Sequence, residues 1–130
     1  MTTARFGVIV PAAGRSTRMG SPKPLLRLGD SDFIGTLLGT VALLRPAPGP
    51  VVVVTHLDDP ALTDRLSYLA RTMGIPLQVV TVDAWAGDML DSIRAAARRM
   101  PDVAGALVWP VDAPAVRWLA KFHIPRTPAV

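Results

Sequence analysis

Two hydrophobic periods alternate along the chain. Short, mostly apolar runs occupy residues 6–10, 51–55, 77–82 and 103–109. The first two, rich in Val and Ile, predict strands buried on both faces, and the other two predict further strands. Between them the apolar positions fall three and four apart, which gathers them on one helical face. Phe33, Ile34, Leu37, Leu38, Val41 and Leu44 form the first such stripe; Leu62, Leu66, Leu69 and Met73 the second; Met89, Ile93, Ala96, Ala97 and Met100 the third.

The punctuation agrees. Asp30 or Ser31 can cap the first helix, and Arg45 with the proline-rich residues 46–50 ends it. Asp59-Pro60 supplies a cap and first residue for the second helix, and Gly74 followed by Pro76 a left-handed stop. Residues 56–59 read as a loop, residues 115–122 as a short helix, and residues 123–130, with two prolines, as a tail. The order strand, glycine-rich loop, helix, strand, helix, strand, helix, strand predicts an α/β fold: a mostly parallel sheet with helices on both faces. In such sheets ligands bind beyond the carboxyl ends of the strands. That directs attention to the loops after the first and fourth strands.

Composition narrows the classes. At 130 residues one domain spanning 1–130 is expected, and with half of the residues apolar the chain can build a core. The absence of cysteine removes disulfides, thiol catalysis and cysteine-zinc sites. The net charge of +4 is spread along the chain, with Arg98-Arg99 the one adjacent basic pair, so an anionic small molecule is a better expectation than nucleic acid. No apolar run approaches the roughly 20 residues of a membrane-spanning helix. Residues 6–10 are too short for a secretory core, so a cytoplasmic location without a membrane partner is expected.

The loop after the first strand carries the chemistry. Pro11, Ala12, Ala13 and Gly14 give way to Arg15, Ser16, Thr17, Arg18, Met19, Gly20, Ser21, Pro22 and Lys23. Small residues let a ligand approach the backbone, whose N–H groups can cradle an anion. Arg grips phosphate with paired hydrogen bonds and Lys acts as a mobile point charge. A triphosphate suits this combination. The spacing is not that of a P-loop, because five residues separate Gly14 from Gly20 and Ser21 follows. Neither the dinucleotide glycine fingerprint nor a nucleophile elbow occurs.

The run Ala12-Ala13-Gly14, Ser16, Arg18-Met19-Gly20, Lys23 and Leu25-Leu26 resembles the signature loop of the MobA-like nucleotidyltransferases, especially the molybdenum-cofactor cytidylyltransferase branch. Pro11 stands where that family usually has Leu. Trp85, Gly87, Met89, Ser92 and Ile93 are similar to a second family stretch, with the glycine displaced by one position. Residues 110–114, Pro-Val-Asp-Ala-Pro, are similar to a third. The resemblance spans residues 6 to about 117. It implies a three-layer, Rossmann-like nucleotidyltransferase fold. It also implies Mg²⁺-dependent transfer of a nucleoside monophosphate from CTP or GTP to a phosphorylated acceptor such as molybdopterin, releasing pyrophosphate.

By the same resemblance Ala12, Ala13 and Gly14 contact the nucleoside through the backbone, with Arg15 and Ser16 beside them. Arg18 and Lys23 hold the triphosphate, Asp112 coordinates Mg²⁺, and Asp83 and Ser92 lie where the base is read. Each has a plainer alternative. Arg15 is as readily solvated, Asp83 is as good a turn residue as a base reader, and Asp112 before Pro114 is sound turn chemistry. His56 and His123 read as ordinary loop residues, and Trp85 and Trp109 as packing. The family continues beyond its third motif, whereas here Asp112 is the last acidic residue and the sequence stops at Val130. The acceptor-binding part is therefore expected to be missing. This leaves open a catalytically incomplete nucleotide-binding module that works through a partner or as a homodimer, with unfinished sheet edges as places of association.

Overall fold

The computed structural model describes residues 6–13, 25, 27–44, 47–57, 59–83, 89–110 and 120–122. Four strands form a parallel sheet: β1 (Phe6–Pro11), β4 (Val51–His56), β5 (Leu77–Val82) and β6 (Gly105–Val108). A two-residue hairpin, β2 (Arg27–Leu28) and β3 (Ser31–Asp32), precedes helix α1 (Phe33–Ala42). Helices α2 (Pro60–Met73) and α3 (Met89–Ala97) follow β4 and β5, and β7 (Ala120–Phe122) closes the order. The sheet runs β5-β4-β1-β6-β7, with β7 antiparallel to β6.

Strand alternation divides the core in two. Val8, Val10, Val51 and Val53 face α1 and α2, packing with Ile34, Leu37, Leu38, Val41, Leu62, Leu66, Leu69 and Trp109. Ile9, Val52, Val54 and Val80 face the other way, packing with Ala96, Met100, Val103, Ala106 and Val108. Helices thus cover both faces, giving the expected three layers. Both faces of β1 and β4 are dry, which explains their unbroken apolar sequence.

Asp32 caps α1. Its Oδ1 accepts a 2.8 Å hydrogen bond from the Gly35 N–H, and Arg65 of α2 reaches the same carboxylate through Nε (3.0 Å) and Nη2 (3.3 Å). One side chain therefore satisfies a helix start and ties α1 to α2. Asp59 caps α2 through the Leu62 N–H, and Gly74 adopts the left-handed conformation at its end, as its sequence predicts.

Three expectations need correction. The cap of α1 is Asp32, not Asp30 or Ser31, because the chain turns at Gly29 (φ 63°) and runs back as a hairpin before the helix begins. Residues 120–122, read as part of a helix, form a strand because Phe122 and Ala120 pair across to Ala106 and Val108. His56, read as loop, is the last residue of β4, held in register with Val82.

Candidate active site

The strand order fixes where a ligand can sit. From β1 the chain passes through α1 to β4 on one side; β6 lies on β1's other side. Between β1 and β6 the connections diverge to opposite faces of the sheet, which opens a crevice at the carboxyl ends of those strands.

Two neighbouring chain segments leave the sheet at that crevice. The Ala12 N–H still donates to the Val54 carbonyl (2.8 Å), and the Trp109 N–H donates to the Ile9 carbonyl (2.8 Å). Sheet pairing therefore holds the chain up to the brink of each loop. From Ile9 opposite Val108, Pro11 lies level with Pro110 on the adjacent strand. Strands so paired are about 4.8 Å apart. The last described residues before these two loops, Ala13 and Pro110, thus lie at the ends of adjacent strands. Gly14, Arg15, Ser16, Arg18, Lys23 and Asp112, together with Trp85 and His123, lie outside the described residues.

Ala12 and Ala13 are each 5% exposed and face opposite cores. Larger side chains there would enter packed interior, so their smallness serves the fold as well as backbone access. Because the Ala12 N–H is already engaged, Ala12 has only its carbonyl and Cα to offer a ligand.

Asp83 follows β5 directly, at the same edge of the sheet but two strands from β1, a separation of about 10 Å. Its Oδ1 lies 4.0 Å from Nε2 of His56 at the end of β4. The Asp83 side chain is half exposed and His56 only 21% exposed, so the histidine stands behind the carboxylate. Ser92, on α3 and 7% exposed, is the buried hydroxyl of that helix. Thr55 on β4 is fully buried, and its hydroxyl has no hydrogen-bond partner among the described residues. The sequence reading assigns neither Thr55, in a strand, nor His56, in a loop, a place near Asp83. Strand periodicity absorbs the first, and nothing in the sequence links His56 with a residue 27 positions away.

Among the described residues no three His, Cys, Asp or Glu side chains gather as a metal-binding group. Nor is any helix among the described residues long and apolar enough to cross a membrane. A cleft of about 620 Å³ lies at the opposite, amino edge, lined by residues before β4, β5 and β6 such as Pro50, Gln78, Arg99 and Asp102. Ala12, Ala13 and Asp83 are not among the residues that line it.

Comparison with known proteins follows this geometry. No curated protein sequence matches the chain. Among solved structures, Rv0371c of Mycobacterium tuberculosis H37Rv is 26% identical, covers 88% of this chain and 55% of its own, and superposes with a TM-score of 0.59. The structure of Rv0371c in complex with manganese gives 25% identity, 88% and 53% coverage, and a TM-score of 0.57. The 4-diphosphocytidyl-2C-methyl-D-erythritol synthase of Anaerococcus prevotii DSM 20548, at 17% identity, shares the fold with a TM-score of 0.67 over 85% of this chain and 44% of its own. The chain thus spans about half the length of these neighbours. The family described as MobA-like NTP transferase domain matches residues 8–121. With that match across most of its length, the chain belongs to the MobA-like NTP transferase domain family.

Proposed function

We propose that this chain binds a nucleoside triphosphate, CTP or GTP, across the carboxyl edge of the sheet and transfers its nucleoside monophosphate to a phosphorylated small molecule of the molybdopterin type. One observation carries the reading: the glycine-, arginine- and lysine-bearing loop and the Asp112 loop leave adjacent strands at the topological switch point. An oxygen of the acceptor phosphate attacks the α-phosphorus, the bond to the β-phosphate oxygen breaks, and pyrophosphate leaves.

The protein's part in such a transfer is positioning and charge neutralisation. Backbone from Ala12 to Gly14 lies against the nucleoside, with Arg15 and Ser16 beside it. Arg18 and Lys23 neutralise the triphosphate and the leaving pyrophosphate. Asp112 would hold Mg²⁺, which when bound withdraws charge from phosphate oxygens; a neighbour's binding of manganese accords with this. The separation of about 10 Å between β1 and β5 matches the span from phosphates to base, leaving Asp83 and Ser92 to meet the base. A carboxylate there accepts from the exocyclic amine of cytosine or guanine and is repelled by the O4 of uracil.

A second reading is a nucleotide-binding module that needs a partner for the acceptor. Pyrophosphate release from the four NTPs, with and without Mg²⁺ and a molybdopterin-type acceptor, tests both. Acceptor-dependent release abolished in Asp112→Ala supports the transferase. Binding without turnover supports the module, and no binding refutes both.

A further inference from the structure

We propose that the outer edge of β5 is the surface through which two copies of this chain associate, by antiparallel pairing of β5 with the β5 of a second copy. β5 ends the sheet order, and its six residues stay in unbroken register with β4. The carbonyls of Pro76 and Val82 accept from Val51 and Leu57, so the even-numbered positions of this segment turn their backbone groups toward β4. In an extended strand the odd-numbered positions then direct theirs outward. Val79 and Thr81 therefore present N–H and C=O groups along an edge that no strand among the described residues covers.

Natural edges are blunted by charge, proline, bulges or shortness. This one has none of them: Leu77-Gln78-Val79-Val80-Thr81-Val82 carries no charge, no proline and no break in register. Val79 and Thr81 are both exposed, Val79 being an exposed large hydrophobic. A second copy fits better than an unrelated peptide because the edge complements itself. With a two-fold axis at Val80, Val79 of each copy faces Thr81 of the other and exchanges both backbone hydrogen bonds with it, as an isologous contact requires. The last described strand, β7, lies at the far side of the sheet, about 19 Å away. The antiparallel arrangement also points the two carboxyl edges in opposite directions, so each nucleotide crevice belongs to one copy.

The test is sedimentation equilibrium of the 130-residue chain from about 5 µM to about 1 mM, a range suited to a small interface, together with amide hydrogen exchange at both ends of that range. The mean mass should rise from 13.8 kDa toward twice that value. Exchange at Val79 and Thr81 should slow at least tenfold at the higher concentration. Val79→Pro removes an outward donor without touching the β4 ladder, and Thr81→Lys places charge on the edge; both should stay at the monomer mass. The proposal is overturned if the wild-type mass stays constant, if Val79 and Thr81 exchange equally fast at both concentrations, or if folded Thr81→Lys associates like the wild type.

Discussion

The Asp32 carboxylate joins two structural tasks that substitution can separate. It caps α1 through the Gly35 N–H and receives Arg65 of α2 through two further hydrogen bonds, while Arg65 also lies 5.6 Å from the Tyr68 ring centroid. Losing an aspartate cap costs about 1 kcal/mol. The ion pair is only partly buried, with side chains 13% and 29% exposed, so its share is nearer the value for surface pairs, about 1 kcal/mol. Asp32→Ala should therefore cost about 2 kcal/mol. For a chain of this length each kcal/mol lowers Tm by about 3 to 4 °C, so the expected fall is about 7 °C. Asp32→Asn keeps the cap and gives up the charge, and should fall only about half as far. Thermal melts of both, with Arg65→Ala and the Asp32→Ala/Arg65→Ala pair, complete a cycle whose coupling should be about 0.5–1 kcal/mol. Equal losses in the Asn and Ala variants would refute the capping role. Zero coupling would refute the tie between α1 and α2.

Four further outcomes are expected. Trp109→Ala empties a site 1% exposed in the core packed against α1 and α2 and should cost about 3–5 kcal/mol in urea unfolding. Gly7→Ala would place its Cβ 2.5 Å from Sδ of Met100 and 3.1 Å from the Pro50 carbonyl oxygen, costing about 1–3 kcal/mol, part of which Met100→Val should restore in the same assay. Ala13→Leu should lose about 1–3 kcal/mol of stability and weaken nucleotide binding, read by melts and calorimetry, because the added carbons enter the Ile9–Val54 core. Asp83→Asn, which turns an acceptor-only group into one that also donates, should raise UTP binding relative to CTP by about tenfold in calorimetric titration.

Much of the fold is legible because it rests on short-range patterns. The valines of residues 51–54 can only be a strand buried on both faces, and Asp59-Pro60 with Gly74 marks both ends of α2. What the sequence hides depends on pairing at a distance. β7 is three residues long and exists through its partners in β6, so local propensity is a poor guide to it. The β2–β3 hairpin has a usable signal, Gly29-Asp30 between Leu28 and Ser31, which a reading of the whole stretch as one glycine-rich loop passes over. For the site, motif spacing identifies the loops, but only the strand order shows that β1 and β6, which they follow in sequence, are neighbours. The approach of His56 to Asp83 belongs to register alone.

The central claim is that nucleotide occupies the carboxyl edge of the sheet. Backbone amide chemical shifts recorded while CTP and Mg²⁺ are titrated into the labelled chain test it most directly. The account predicts the largest changes at Ala12, Ala13, Asp83 and Trp109, with Gly49, Gln78, Met100 and Asp102 unmoved. Changes centred on that second group would place the nucleotide in the amino-edge cleft and contradict the account.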